Sequence, residues 1–162
     1  MKSETLLEAL QYMELTRSLE PKHLEKLAGM AFEATFSKGE TIFSEGDLGD
    51  ALYLIRTGRA AVETYVPGQG RVTILTVGPG QLLGWSALFP NKHKTASSQA
   101  LMDTQVIALS ASQLRAACQE DCELGYAVIW RIAELVANRL KATRLQLIDV
   151  FAPGGEKYKE NI

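Results

Sequence analysis

Eight glycines fall between residues 39 and 80, and the stretches they separate are short and rich in β-branched and aromatic residues. "SKGETIF", "SEGDLGDALYLI", "RTGRAAVETYV", "PGQGRVTILTV" and "GPGQLLG" follow one another without a helical period. Glycine supplies positive φ and tight corners at no Cβ cost, so the pattern reads as strand, turn, strand from Phe32 to Leu109. Residues 51–66 are expected to form a hairpin turning at Thr57–Gly58, and residues 64–77 a second one turning at Pro67–Gly70. "SSQALMDTQVIALS" predicts two more strands. Many short strands at regular spacing indicate an antiparallel sandwich or barrel.

Helical periods flank this region. Leu6, Leu7, Leu10, Met13 and Leu15 recur near helical spacing, and Pro21 opens a second helix carrying Leu24, Leu27 and Ala28, with Gly29 as its expected stop. After the strands, Ser110–Gln113 has capping-box spacing and starts a short helix through Cys118. Asp121 then caps a long helix of about 28 residues, roughly 42 Å, that stops by Pro153. That helix carries two apolar stripes. Leu124, Val128, Ile132 and Leu135 can serve the sheet. Tyr126, Ile129, Ala133, Val136, Leu140, Thr143, Leu147 and Val150 alternate spacings of three and four, a heptad seam suited to a partner helix. A parallel homodimer through this helix is the simplest account, against the plainer alternative of one face of a buried helix.

The net charge of −2 over 162 residues gives no electrostatic footprint for nucleic acid. No run approaches the roughly 18 apolar residues of a membrane span, and the amino terminus lacks signal-peptide character, so a cytoplasmic protein is expected. Cys118 and Cys122 read as reduced thiols near a helix junction or as a redox pair. Together with His23 and His93 they fall short of a metal-ligand set, and no catalytic motif stands out. A non-enzymatic protein is therefore expected.

The stretches "GETIFSEGDLGDALYLIRTGRAAV" and "GPGQLLG" resemble the cyclic nucleotide-binding domain superfamily, in particular catabolite activator protein-like sensor domains. The likeness runs from Leu15 to Phe151. It implies a mainly β fold with flanking helices: an antiparallel β-roll (a jelly-roll-like double-stranded β-helix), preceded by a short helical hairpin and followed by a long dimerisation helix. The implied organisation is one domain, 1–152, with N-terminal helices over 1–31, the roll over 32–109, C-terminal helices over 110–152 and a polar tail over 153–162.

The resemblance also places a phosphate-binding cassette at "GWSAL", Gly84, Trp85, Ser86, Ala87 and Leu88, and at "KTA", Lys94, Thr95 and Ala96. The family has a glutamate at position 85 for the ribose hydroxyl and an arginine at position 94 for the cyclic phosphate. Trp85 removes a charge-assisted hydrogen bond worth on the order of 1.5–3 kcal/mol, and Lys94 keeps the charge without the bidentate fork. Trp85 is expected to plug or lid the pocket mouth, or to stack on a planar ligand. Lys94 is expected to anchor an anion, or to be a surface lysine, and the backbone N–H groups of Ser86 and Ala87 would face that anion. "NRLKATR" resembles the segment from which a threonine reaches the base across the dimer, which puts Thr143, beside Arg144, either at the ligand or simply in the seam.

Three functions follow as expectations. The first is a dimeric sensor binding a cyclic nucleotide or another small anionic effector weakly. The second is a ligand-free dimeric scaffold for a protein partner. The third is a fragment of a transcription regulator. A helix-turn-helix after the long helix needs several tens of residues, and about ten follow Ala152, so direct nucleic-acid binding is not expected.

Overall fold

The computed structural model describes residues 2–90 and 93–152. The expected polar tail and Lys92 lie outside them. In chain order the elements are α1 (Lys2–Leu10), α2 (Pro21–Met30), β1 (Ala31–Phe36), β2 (Thr41–Phe43), β3 (Ala51–Thr57), β4 (Ala60–Val66), β5 (Gly70–Val77) and β6 (Leu82–Leu83). A single 3-10 turn (Trp85–Leu88), β7 (Ser97–Ala100), β8 (Thr104–Ser110), α3 (Ala111–Glu120) and α4 (Cys122–Phe151) complete the chain. The strands form two four-stranded antiparallel sheets, ordered β1-β8-β3-β6 and β2-β7-β4-β5. This is the expected β-roll with flanking helices.

The centre of the first sheet is apolar on both faces, and its sequence shows why. Successive strand residues point to opposite sides. Leu54 and Ile55, Leu82 and Leu83, Ile107 and Val106 are adjacent pairs, and all six side chains are buried. Leu52, Leu54, Leu82, Ile107 and Leu109 pack under the helices in one cluster. Ile55, Leu83 and Val106 face Ala60 and Val77 of the second sheet in another.

This arrangement corrects the first expected hairpin. β3 pairs with β8 and β6, while β4 pairs with β5 and β7, so the chain changes sheets at Gly58. Gly58 has φ +94°, and a Cβ there would stand 2.5 Å from Thr104 Oγ1 and 2.6 Å from the Asp103 carbonyl. Thr104 Oγ1 accepts from Arg59 N at 3.2 Å, which pins the crossing to β8. The second hairpin forms as expected, with Val66 opposite Gly70.

At the amino end, α1 stops at Leu10, earlier than the apolar spacing suggested. Met13 and Leu15 lie in the following turns, yet both are buried. α2 runs through Gly29 to Met30 and passes directly into β1. Gly29 is absent from the positive-φ glycines, so it does not end the helix as a left-handed cap. The expected caps of α3 and α4 are both present: Ser110 Oγ accepts from Gln113 N at 3.4 Å and Asp121 Oδ1 from Leu124 N at 3.2 Å.

α4 has 30 residues, about 45 Å of helix. Its buried residues are Leu124, Val128, Ile132 and Leu135, the stripe assigned to the body. From Leu140 onward every residue is exposed. No helix among the described residues is long and apolar enough to cross a membrane.

Gly58→Ala and Gly46→Ala compare the two roles of a left-handed glycine. Gly46 has φ +90° and open space around a Cβ, so alanine there costs about 1–2 kcal/mol of backbone strain. At Gly58 the same strain is joined by a clash with backbone, adding roughly 1–3 kcal/mol. Urea unfolding should give the larger loss for Gly58→Ala. Equal losses would contradict the packed crossing.

Candidate functional site

β6 delivers the chain to Gly84, which has φ 77° and ψ 27° and turns it into the 3-10 segment. A Cβ at Gly84 would sit 3.2 Å from Lys94 Nζ and 3.4 Å from the Ala51 carbonyl, so the left-handed corner is also a crowded one. Ala87 N donates to the Gly84 carbonyl at 3.1 Å, which closes the turn. Ala87 in turn leans on Gly49, where a Cβ would meet its own Cβ at 2.7 Å.

Lys94 returns to this corner from the other side of the loop. Its backbone is clipped to the turn before β3, with Lys94 N donating to the Asp47 carbonyl at 2.7 Å and Gly46 N donating to the Lys94 carbonyl at 2.8 Å. Leu48 and His93 extend that pairing, and His93 Nδ1 lies 2.8 Å from the Gly46 carbonyl. The Lys94 side chain is only 5% exposed. Its ammonium donates to the Gly84 carbonyl at 3.2 Å and to Ser86 Oγ at 3.3 Å, and it stands 4.4 Å over the Phe43 ring. Burial pushes the Lys94 ammonium below the ordinary lysine range, and the Asp50 charge opposes that in part. A cleft of about 390 Å³ opens beside it, walled by Phe43, Asp47, Asp50, Tyr53 and Lys94 among others. Burial, then the Asp50 charge, raises the Tyr53 hydroxyl.

The remaining cassette residues divide. Trp85 is half-buried against the main core and meets Phe89 edge-on at 6.2 Å. It is not among the residues walling this cleft. An indole has enough apolar surface to be drawn under the helices, where Leu88 and Ala87 are also buried. Thr95 is exposed and Ala96 half-buried, both leading into β7. Thr143 and Arg144 are exposed on α4 one turn beyond Arg139, and Thr143 Oγ1 donates to the Arg139 carbonyl at 2.9 Å. Within one chain the fold brings together Gly84, Ser86, Ala87 and Lys94, and leaves Thr143 and Arg144 apart.

Several residues at the site escaped sequence reading. Phe43, Gly49, Asp50 and Tyr53 lie inside the stretch that carries the family likeness, where they read only as shape. Arg115 on α3 donates to the Ala87 carbonyl at 2.8 Å and steadies the turn. Arg139 is hydrogen-bonded to the Leu82 carbonyl and pairs with Glu14 at 3.2 Å, while Arg131 Nε donates to the Glu14 carbonyl at 3.1 Å. Glu14 also accepts from Leu82 N at 2.6 Å. The amino-terminal turn, β6 and α4 are thereby joined directly below the cassette. Arg71 is largely exposed and stands 3.9 Å from Glu63 beside a second cleft of about 240 Å³.

The family model of the cyclic nucleotide-binding domain matches residues 33–121. The chain is 31% identical over 134 residues to the cyclic AMP receptor protein of Thermus thermophilus, covering 82% of this chain and 60% of that protein. It thus spans about three-fifths of that relative's length. Among solved structures, the N-terminal domain of a transcriptional regulator from Streptomyces coelicolor superposes with a TM-score of 0.69 at 27% identity, over 80% of this chain and 93% of that one. A cyclic nucleotide-binding domain from Methylobacillus flagellatus gives 0.79 at 24% identity, over 99% and 86%, a likeness of fold.

The buried ammonium makes a linkage prediction. Lys94 titrates lower in the fold than in the unfolded chain, so its charge weakens the native state at neutral pH. As pH rises toward the ordinary lysine value of 10.5, the native protein loses that proton while the unfolded chain still holds it, and stability is gained. Lys94→Met should lack this gain. Unfolding free energies of the two proteins, measured from neutral to alkaline pH, should shift in favour of the wild type as pH rises. Parallel curves would contradict a desolvated ammonium.

Proposed function

The chain belongs to the cyclic nucleotide-binding domain family, and from that premise we propose that it is a non-enzymatic sensor module whose cassette takes a small anionic effector weakly. One observation carries this reading. The Lys94 ammonium is buried beside a cleft, yet no carboxylate of the described residues comes within 4.0 Å of it. Its partners are a carbonyl, a hydroxyl and a ring face, all neutral. A buried charge without a counter-ion is costly, and a ligand phosphate would supply the missing charge. Position 85 offers no carboxylate to a ribose, and Asp47 and Asp50 place negative charge on the cleft wall. Both favour weak binding over tight binding.

In this reading the module is a parallel dimer through α4. Ile129, Leu140, Leu147 and Val150 are between 47% and 70% exposed, an apolar seam with nothing of its own chain to cover it. Ala133, Val136 and Thr143 continue the same line. Thr143 and Arg144, which lie away from their own cassette, would then be offered to the partner protomer.

A ligand-free scaffold is the second reading. It is favoured by the same ammonium having two hydrogen-bond acceptors within the fold, and by Trp85 being committed to the core.

Calorimetric titration with cyclic AMP separates the two. The sensor reading expects binding in the micromolar range, weakened at least about tenfold by Lys94→Ala, a loss of about 1.4 kcal/mol or more. No heat at millimolar ligand moves the weight to the scaffold. Analytical ultracentrifugation tests the dimer independently: Leu140→Asp with Leu147→Asp should convert a dimer to monomers. Unchanged sedimentation would reject the seam.

A further inference from the structure

We propose a divalent transition-metal site at the junction of α2 and α4, with His23, Asp121 and Glu123 as its protein ligands. His23 lies in the first turn of α2, is 2% exposed, and neither ring nitrogen has a hydrogen-bond partner among the described residues. An imidazole buried in that state costs about 1–3 kcal/mol unless something meets it. The ring is aimed at carboxylates. Nε2 is 3.8 Å from Asp121 Oδ2, and the ligand atoms of His23, Asp121 and Glu123 all lie within 4.8 Å of one another.

A separation of 3.8 Å is too long for a hydrogen bond. It is close to the spacing of two ligand atoms on one ion, about 3.3 Å for a tetrahedral site with bonds of about 2.0–2.1 Å. The two carboxylates are the adjustable partners, since the Glu123 side chain is 61% exposed and that of Asp121 is 32% exposed, against 3% for His23. A fixed nitrogen donor thus forms the floor, with two oxygen donors at a solvent-facing mouth.

One imidazole and two carboxylates suit a borderline ion such as Zn²⁺, with water completing the shell. Magnesium and calcium prefer oxygen-only sets. The carboxylates are balanced by Lys22, 2.8 Å from Glu123 Oε2, and Lys26, 3.8 Å from Asp121 Oδ2. Both lysines are exposed enough to be displaced into water. Asp121 divides its work between its two oxygens: Oδ1 holds the Leu124 N–H as the cap of α4, and Oδ2 faces His23. Ligation therefore leaves the helix cap in place. A bound ion would fasten α2 to the start of the long helix.

The test is zinc titration of the full chain by calorimetry, with cobalt absorption as a second readout. One equivalent per chain is expected, weakened at least about tenfold by Glu123→Gln and by His23→Gln. Glu123 is exposed, so its variant keeps the fold even if the buried histidine variant does not, and far-ultraviolet dichroism checks both. A Cys118→Ser, Cys122→Ser double variant should bind as the wild type does. No saturable binding below millimolar zinc overturns the assignment. So does undiminished binding in Glu123→Gln or in a folded His23→Gln, or loss of binding in the cysteine variant.

Discussion

Burial of the β1-β8-β3-β6 sheet on both faces is the constraint from which the rest of this structure follows. A sheet in water can afford one polar face. This one cannot, because at its centre the adjacent residues Leu54 and Ile55 of β3, Leu82 and Leu83 of β6, and Val106 and Ile107 of β8 are apolar and point opposite ways. One face is closed by the second sheet. The other requires helices, and the amino-terminal pair, α3 and the first half of α4 meet that requirement. Each completely buried leucine is worth about 1.5–3 kcal/mol relative to exposure, so the helices are part of the fold and not appendages to it. α4 satisfies the sheet with four side chains, reaches Leu82 and Glu14 through Arg139, and then continues exposed from Leu140 to Phe151, about three more turns.

The cassette is mounted on the same sheet. β6 is only two residues long, yet it is held at both edges of its surroundings. Leu82 N donates to Glu14, and Arg139 is bonded to the Leu82 carbonyl and to the same carboxylate. Burial lowers the Arg139 guanidinium, and Glu14 counteracts that. Two residues later comes the left-handed Gly84. The corner that receives Lys94 and the place where α4 leaves the body are therefore joined by one short strand and one half-buried ion pair.

Much of this was legible from residues. Glycine spacing and β-rich runs located the strands, and the caps at Ser110 and Asp121 located the last two helices, because those signals act within a few residues. The stripe of α4 that packs on the body, Leu124, Val128, Ile132 and Leu135, was legible because period is a local property as well. The crossing at Gly58 was not. A glycine corner between two strands looks the same whether the second strand pairs with the first or leaves for another sheet, and only Thr104, from β8, settles which. Met13 and Leu15 were legible as core but not as turn, since burial alone mimics helical spacing over so few residues. Glu14 with Arg139, and His23 with Asp121, join positions about a hundred residues apart, and nothing in either local sequence marks its partner.

The family resemblance implies a glutamate for the ribose hydroxyl at position 85 and an arginine for the phosphate at position 94, where this chain has Trp85 and Lys94. An arginine brings five N–H donors in a rigid plane. The corner at Gly84 offers one carbonyl, one hydroxyl and one ring face. That set suits the three donors of a lysine ammonium and would starve a guanidinium. Trp85 lies half-buried against the outside of the main core. The result is a cassette whose cation is held in place by neutral groups. In the proposed sensor, an anion reaching the cleft would have to compete with those groups for Lys94.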